Sequence, residues 1–202
     1  MTTIVFVRHG QTQDNVAGVF QGQTGRGLDD TGRAQAARLA DRLRGRTFAA
    51  LATSDLERAR ETATILQGAI GLEAQVDPSL REIDVGGWAG LTAEEAKARF
   101  PQEHDDWRDG RDVRRGGGES YSEVAARIEA ATRRHAELHP GGTILLVSHG
   151  TAIRAFSASV VGAPAQASRA WPVMSNCALT SFSFDGSAFR FLTWNDRAHL
   201  EP

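Results

Sequence analysis

The stretch IVFVRHG (residues 4–10) places a short apolar run directly before an arginine, a histidine and a glycine. A second stretch, ILLVSHG (residues 144–150), repeats this arrangement far along the chain. Short apolar runs rich in β-branched residues are typical of strands that are buried on both faces of a parallel sheet. Ligands collect at the carboxyl ends of such strands, so we expect His9 and His149 to meet at one edge of the sheet.

Helix-like and strand-like segments alternate over the rest of the chain. Apolar residues at helical spacing predict four helices, around residues 36–43, 59–70, 124–138 and 153–160. Residues 48–53 are a weaker strand candidate, and residues 179–194 predict a hairpin with its turn at Asp185-Gly186. This alternation predicts an α/β fold, a three-layer α/β/α sandwich with a mainly parallel central sheet, in one domain over residues 1–202.

Three helix starts carry capping signals. Asp29 is expected to cap the first helix. Ser54 with Glu57, and Ser120 with Glu123, have the capping-box spacing and are expected to open the second and third helices. Each cap satisfies backbone amides that would otherwise have no partner.

Composition excludes several classes of protein. The 202 residues carry 23 Lys+Arg and 25 Asp+Glu, a formal net charge of −2, which argues against nucleic acid as a partner. Cys177 is the only cysteine, so neither an intramolecular disulfide nor a cysteine-rich zinc site can form. No run approaches the ~20 apolar residues of a membrane span, and no charged-then-apolar leader is visible. We therefore expect a soluble cytoplasmic protein without a membrane partner.

Three charged side chains fall where they could bind an anion or transfer a proton. Arg8 is adjacent to His9, and Arg58 lies in the first turn of the second helix, where free amides and the helix dipole favour anions. Arg60 nearby could equally be a solvated surface charge. Glu82 lies in the largely apolar stretch LREIDVGGW (residues 80–88) and is a candidate general acid.

The other histidines are expected to have no chemical role. His135 and His139 are four residues apart, the spacing of a metal-binding pair, but no HExxH frame or third ligand accompanies them. An exposed helix face is therefore the better interpretation, and no metal site is predicted. His104 and His199 are expected to be ordinary surface or core residues.

The least regular segment, residues 101–118, is rich in Asp, Arg and Gly. We interpret it as a mobile loop over a site, with a solvated loop of no particular role as the alternative.

Together these motifs resemble the histidine phosphatase superfamily, in its phosphoglycerate mutase-like branch. RHGQTQDN (residues 8–15) resembles the family signature RHGxTxxN, and SDLERARETA (54–63) is similar to the SxLxRAxxTA block. LRE (80–82) with GGWAGLT (86–92) resembles the block that carries the acid, and GGES (117–120) and VSHG (147–150) complete the set. The blocks follow the family's order over about three quarters of the chain.

The resemblance implies a role for each matched residue. His9 would be the nucleophile that forms a phosphohistidine, and Arg8, Arg58 and His149 would hold the phosphate oxygens. Asn15 would donate a further hydrogen bond. Glu82 would protonate the leaving oxygen and then activate water. Neither a metal nor another cofactor is implied, since arginine and imidazole supply the positive charge.

Three functions remain open: a phosphatase, a cofactor-dependent phosphoglycerate mutase, and a non-catalytic binding module of the same fold. All five catalytic residues are present, which disfavours the binding module. Mutases of this branch typically have a large insertion after the acid, which this sequence lacks, so we favour a phosphatase.

The substrate is expected to be a small phosphate monoester, such as a sugar phosphate or a phosphoglycerate derivative. Candidate substrate-binding residues are Gln21, Gly22, Arg114 and Arg115, and Trp88 is a further candidate for the pocket rim. The arginines, with Arg111, would favour a second anionic group, although a solvated charged loop is the simpler account of Arg114 and Arg115. The hairpin phenylalanines could form a homodimer seam or pack against a helix; they are Phe182, Phe184, Phe189 and Phe191.

Overall fold

A six-stranded sheet forms the centre of the protein in the computed structural model, which describes residues 1–164 and 171–201. The strands are β1 (Thr2–Arg8), β2 (Ala50–Thr53), β3 (Ala74–Val76), β4 (Thr143–Ser148), β5 (Leu179–Phe184) and β6 (Phe189–Asp196). Their order across the sheet is β3-β2-β4-β1-β5-β6. The first four pair in parallel, whereas β5 pairs antiparallel with both β1 and β6.

Seven α-helices lie within the described residues. They are α1 (Gln13–Ala17), α2 (Asp30–Leu43), α3 (Glu57–Ile70), α4 (Ala93–Arg99), α5 (Pro101–Arg108), α6 (Tyr121–Leu138) and α7 (Gly150–Val160). The strands and helices predicted from apolar periodicity are confirmed. The short edge strand β3 was not predicted, because its three residues, AQV, carry no apolar run.

Alternate side chains of the central strands enter two separate apolar cores. Ile4 and Phe6 of β1 pack in one core with residues of α6 and α7. Val7 of the same strand packs in the other core with residues of α2 and α3. Strands covered on both faces need apolar residues at every position, which explains the continuous apolar runs. The predicted three-layer α/β/α sandwich is confirmed.

Two of the three predicted caps are confirmed. The Asp29 carboxylate accepts a hydrogen bond from the Gly32 amide, and Ser120 opens a complete capping box at α6. The box at Ser54 is wrong, because the N-cap of α3 is Leu56, whose backbone angles are extended, and the helix begins only at Glu57. The Ser54 hydroxyl instead accepts a 3.3 Å hydrogen bond from the Leu56 amide.

The segment 101–118 is more regular than predicted. Its first half forms α5, with Pro101 at the first helical position, where a missing amide hydrogen costs nothing. His104 and Trp107 of this helix pack against Trp88, with ring centroids 5.9 and 5.6 Å from it. Trp88 is fully buried, so the expectation that it borders a pocket is wrong.

Aromatic packing also accounts for the C-terminal hairpin. Phe182 and Phe184 are buried, and the ring centroids of Phe156 on α7 and Phe182 lie 4.9 Å apart. Phe189 packs edge-on against Phe156, and Phe191 packs edge-on against Phe182. Packing against a helix therefore explains these residues, and Phe182 and Phe184 are not available to a dimer seam.

The prediction of an exposed helix face at His135 is wrong. Its ring is buried where α6 meets the turn after β3, and its Nε2 lies 2.9 Å from Oδ2 of Asp77. Each of the described helices is too short or too polar to span a bilayer.

Candidate active site

Two histidines meet at the carboxyl ends of the adjacent strands β1 and β4. His9 follows β1 and His149 follows β4, and their ring centroids lie 5.2 Å apart with an interplanar angle of 55°. The pairing of β1 with β4 continues to this point, because the His9 amide donates a 3.0 Å hydrogen bond to the Ser148 carbonyl. The prediction that the two residues meet at one edge of the sheet is confirmed.

Hydrogen bonding fixes the tautomer of His9. Its Nδ1 lies 2.7 Å from the Gly10 carbonyl oxygen, which can only accept, so Nδ1 carries the hydrogen. Burial lowers the pKa of His9 well below its usual value, and the positive charges of Arg58 and Arg8 lower it further. The ring is therefore neutral at physiological pH, and Nε2 keeps a free lone pair. This nitrogen can act as a nucleophile.

His149 is a second neutral imidazole. It is fully buried, and burial together with Arg58 lowers its pKa well below the ordinary value for histidine. Neither ring nitrogen has a hydrogen-bond partner among the described residues. Buried polar atoms are almost always satisfied in native proteins, so these two nitrogens stand out in the core.

Arg58 connects helix α3 to the segment after α1. Its Nη1 and Nη2 donate hydrogen bonds of 2.6 and 2.7 Å to the carbonyls of Thr24 and Gly22. Burial lowers the pKa of Arg58 to about 10, which still leaves it charged at neutral pH. The Arg58 Nε atom is buried without a partner in the described part of the chain.

Arg8 lies beside the start of α7. Its Nη1 donates to the carbonyl of Met174, and its buried Nε has no partner among residues 1–164 and 171–201. A Cβ atom at position 150 would lie 3.2 Å from this Nε, so Gly150 leaves room for the guanidinium. Arg8 and Arg58 therefore bring two positive charges to the two imidazoles.

The carboxylate of Glu82 lies on the N-terminus of α7. Its Oε2 accepts a 3.0 Å hydrogen bond from the Thr151 amide, and its Oε1 accepts one of 2.9 Å from the Ala152 amide. Arg127 and Gln23 each donate a 3.2 Å hydrogen bond to the Glu82 backbone carbonyl. The acid is thus held by backbone amides of the first turn of α7, the helix that follows His149.

These side chains line one cavity of about 150 Å³. Pockets for drug-sized ligands usually measure ~300–1,000 Å³, so this one suits a compact ligand. It is lined by Arg8, His9, Asn15, Val19, Phe20, Gln21, Gly22, Arg58, Glu82, Ile83, Val85, Arg115, Gly150, Thr151 and Val173. The structure thus brings together the predicted site residues Arg8, His9, Arg58 and Glu82, with Asn15, Gln21, Gly22 and Arg115. His149 does not line this cavity, although its ring centroid lies 5.2 Å from that of His9.

Asn15 reaches the cavity from α1. Its Oδ1 accepts hydrogen bonds of 3.2 Å from the Thr12 amide and from Nδ2 of Asn176, so its NH₂ group remains available as a donor. The same Nδ2 of Asn176 lies 2.9 Å from the His9 carbonyl. Asn176 was missed in the sequence, because a lone asparagine before a strand carries no recognisable signal.

Gln21 and Gly22 form one wall of the cavity. The Gln21 side chain donates a 2.9 Å hydrogen bond to the Thr12 hydroxyl. Gly22 has a φ of +54°, and a Cβ at this position would come within 2.6 Å of Cγ2 of Val85. Only glycine suits both this backbone conformation and the close approach to Val85. The backbone turn at Gly22 directs its carbonyl oxygen to Arg58.

The two neighbouring arginines of the segment 101–118 have different environments. Arg114, predicted with Arg115 as a substrate-binding residue, is exposed, pairs with Glu123 and does not line the cavity, so the alternative of a solvated charged loop describes it. Arg115 is only 3% exposed and faces the cavity, so its interpretation as a solvated charge is wrong. It packs on the Tyr121 ring, with 5.3 Å between the guanidinium carbon and the ring centroid.

No cluster of three or more potential metal ligands occurs among the residues described by the structure. The charges that face the cavity come instead from guanidinium groups and the Glu82 carboxylate.

Comparison with known proteins places the chain in a family. The family model of the histidine phosphatase superfamily (branch 1) matches residues 4–197. A glucosyl-3-phosphoglycerate phosphatase of Mycobacterium tuberculosis is 36% identical over 216 residues, covering 98% of this chain and 96% of that protein. A probable phosphoglycerate mutase GpmB of Cronobacter sakazakii is 32% identical over 214 residues, covering 100% and 96% respectively.

A solved structure agrees with this assignment. Phosphoserine phosphatase of Entamoeba histolytica, in complex with 3-phosphoglyceric acid, superposes with a TM-score of 0.90 at 26% sequence identity. The match covers the full length of both chains. The fold, the ordered motifs and the family model agree, and the chain belongs to the histidine phosphatase superfamily, branch 1.

Proposed function

We propose that His9 is the nucleophile of a phosphatase that hydrolyses small phosphate monoesters through a phosphohistidine. The protein is a phosphoric monoester hydrolase of its superfamily. The observation that carries the assignment to His9 is its neutral ring, with a free Nε2, in one cavity with Arg8, Arg58 and Glu82. A phosphoryl group in this cavity would meet a nucleophile, two cations and an acid at once.

In the first step, Nε2 of His9 attacks phosphorus and forms a P–N bond while the ester P–O bond breaks. Glu82, protonated in this step, donates its proton to the leaving oxygen, which departs as an alcohol. Arg8 and Arg58 stabilise the charge on the phosphoryl oxygens. His149 and the NH₂ group of Asn15 donate further hydrogen bonds to these oxygens.

In the second step, a water molecule attacks phosphorus on the side that the alcohol has left. The Glu82 carboxylate accepts a proton from this water while the P–N bond breaks. Inorganic phosphate is released, and His9 returns to its neutral state. Glu82 regains the proton that it donated, so the cycle consumes one water molecule and no other reactant.

A phosphoglycerate mutase would use the same groups but return the phosphoryl group to a glycerate. The name of the Cronobacter sakazakii relative keeps this candidate open. The segment after the acid favours hydrolysis, because it passes through one short turn at Gly86–Trp88 and enters α4 at Ala93 without an insertion. A binding module without activity is disfavoured, since the predicted catalytic side chains are assembled around one cavity.

A substrate panel separates the two reactions. The purified protein is incubated with p-nitrophenyl phosphate, sugar phosphates and 3-phosphoglycerate, and inorganic phosphate is measured. Conversion of 3-phosphoglycerate to 2-phosphoglycerate is followed separately. We expect phosphate release to dominate. Isomerisation faster than phosphate release would establish a mutase, and no reaction with any substrate would contradict both enzyme assignments.

A further inference from the structure

We propose that Arg127 and Glu119 are positioning residues that hold the Glu82 carboxylate where it can transfer a proton. This inference rests on the proposed phosphatase function, in which Glu82 is the acid. Glu119 belongs to the GGES motif (residues 117–120), which has no part in the proposed chemistry. Neither Arg127 nor Glu119 lines the cavity, so both would act through Glu82 and not on the substrate.

Arg127 makes five hydrogen bonds, as many as a guanidinium has N–H donors. Its Nη1 donates to the carbonyls of Ser79 and Arg81, both at 2.9 Å. Its Nη2 donates to the Glu82 carbonyl at 3.2 Å. Nε and Nη2 also donate to the two carboxylate oxygens of Glu119, at 2.8 and 2.7 Å. An ammonium group has only three donors, so lysine cannot reproduce this set.

Glu119 connects Arg127 to the segment that follows the acid. Its amide donates a 2.8 Å hydrogen bond to the Asp84 carbonyl, and its Oε2 accepts one of 2.9 Å from the Asp84 amide. The same Oε2 accepts a hydrogen bond from Arg127. Backbone groups on both sides of Glu82 are therefore held by one ion pair. A bidentate pair of this kind has a defined geometry, which suits a support.

Two further side chains complete the support of residues 79–82. The Ser148 hydroxyl, one residue before His149, donates a 2.8 Å hydrogen bond to the Leu80 carbonyl. Gln23 donates to the Glu82 carbonyl. Each carbonyl from residue 79 to residue 82 thus accepts a hydrogen bond from a side chain, and only that of Leu80 does not bind Arg127. Loss of Arg127 would release most of this segment.

The backbone position of Glu82 determines where its carboxylate lies. Besides its bonds to the first turn of α7, Oε1 accepts a 2.9 Å hydrogen bond from the Ile83 amide. These amides can hold the carboxylate only while the Cα atom of Glu82 stays within reach of them. A displacement of ~1 Å can slow a reaction by about 100-fold, because proton transfer requires hydrogen-bond distance. Support of the Glu82 backbone is therefore support of the proton transfer.

Leaving-group dependence tests the role of Arg127. Two substrates are compared: p-nitrophenyl phosphate, whose phenolate leaves without a proton, and the alkyl phosphate of the substrate panel that the wild type hydrolyses fastest. In Arg127→Gln we expect the alkyl-to-aryl ratio of kcat/KM to fall by at least about tenfold, because only the alkyl ester depends on the acid. A merely structural role would slow both esters alike and leave this ratio unchanged.

A double variant shows whether Arg127 acts through Glu82. Arg127→Gln is introduced into Glu82→Gln, which has no acid left to position. We expect the double variant to hydrolyse the alkyl phosphate within about threefold of the rate of Glu82→Gln alone, since residues that act as a unit have non-additive effects. If the two effects multiply instead, Arg127 does not act through Glu82.

Three single variants control for charge, partner and folding. Arg127→Lys keeps the charge but has fewer donors, so its ratio should lie between those of wild type and Arg127→Gln. Glu119→Gln weakens the ion pair and should lower the ratio in the same direction. Arg133→Gln, on the same helix and paired with Glu129, should keep the wild-type ratio. Thermal melts establish which variants are folded. If Arg127→Gln is unfolded, Arg127→Lys and Glu119→Gln decide by the same ratio.

Failure of this proposal differs from failure of the proposed function. An unchanged ratio in folded Arg127→Gln, or multiplying effects in the double variant, would overturn the positioning role and leave the phosphatase intact. Equal slowing of both esters in Glu82→Gln would remove the acid that Arg127 is proposed to hold. A wild-type protein that hydrolyses neither ester would overturn the proposed function itself.

Discussion

The rings of His9 and His149 lie 5.2 Å apart, so a proton on His9 would disfavour a proton on His149. Protonation of His9 would add to the causes that lower the pKa of His149, of which burial is the largest and the charge of Arg58 the next. Two buried imidazoles between arginines thus remain neutral, which preserves a lone pair for nucleophilic attack. The arrangement favours an incoming anion, whose negative charge compensates the cations around it.

Replacement of the nucleophile should abolish turnover. We expect His9→Ala to lose more than about 99% of its activity towards p-nitrophenyl phosphate, because no other group in the cavity is placed to form the covalent intermediate. Phosphate release is measured alongside a thermal melt. His139→Ala, a change of a half-exposed histidine at the end of α6, is the matched control and should retain full activity. Substantial turnover by folded His9→Ala would remove His9 from this role.

Removal of the acid should affect poor leaving groups most. Glu82→Gln keeps the size of the side chain but cannot transfer the proton, so alkyl phosphates should slow by about 100-fold or more. p-Nitrophenyl phosphate should slow much less, because its phenolate leaves without protonation. The ratio of the two rates is the measurement. Equal slowing of both substrates would argue that Glu82 only holds the start of α7.

The buried histidines should make the fold sensitive to acid. Their pKa values are lowered in the folded state, so below about pH 6.5 the unfolded chain binds protons that the native state does not. The free energy of unfolding should therefore fall by about 1.4 kcal/mol per pH unit for each histidine as pH drops below 6.5. Urea titrations at several pH values measure this slope.

A variant isolates the contribution of one ring to this slope. His149→Gln removes one titrating group, so its stability should depend less steeply on pH, whatever its absolute value. His139→Gln serves as the control and should keep the wild-type slope. If the free energy of unfolding of His149→Gln depends on pH as steeply as that of the wild type, the His149 ring is already protonated in the native state or does not govern the acid sensitivity.

Arg58 should matter for both stability and substrate binding. Arg58→Met leaves the carbonyls of Gly22 and Thr24 without their donor, at a cost of about 2 kcal/mol or more in the free energy of unfolding. It also removes a cation from the phosphate site, so KM should rise by at least about tenfold. Arg60→Met, two residues away and exposed, should change stability by less than about 0.5 kcal/mol.

A chelator should leave activity intact. Positive charge for the phosphoryl oxygens comes from Arg8 and Arg58 in the proposed reaction, so no metal ion takes part in either step. Phosphate release is compared with and without EDTA after dialysis. Inhibition that is reversed by added Mg²⁺ or Zn²⁺ would contradict the mechanism.

Local patterns predicted the fold and most of the site. The apolar runs before His9 and His149 are continuous because their strands are covered on both faces, and this signal needs no knowledge of distant contacts. Ordered short motifs then located Arg58 and Glu82. Both kinds of information are contained in segments of about ten residues.

What the sequence could not predict depends on contacts between distant segments. Arg114 and Arg115 are adjacent and chemically identical, yet Arg115 is buried and packs on Tyr121 and Trp107, whereas Arg114 is exposed. The box at Ser54 fails because two bend residues, Asp55 and Leu56, follow it and α3 begins only at Glu57. Asn176 has its role solely because the start of the hairpin lies beside His9.

The hairpin segment has a consequence for synthesis of the chain. Met174 accepts a hydrogen bond from Arg8, Asn176 donates to the His9 carbonyl, and the Cys177 amide donates to the Arg8 carbonyl. During translation, every proposed catalytic side chain leaves the ribosome before this support exists. We expect a nascent chain stalled between His149 and Met174 to be inert, because the backbone around Arg8 and His9 still lacks these hydrogen bonds.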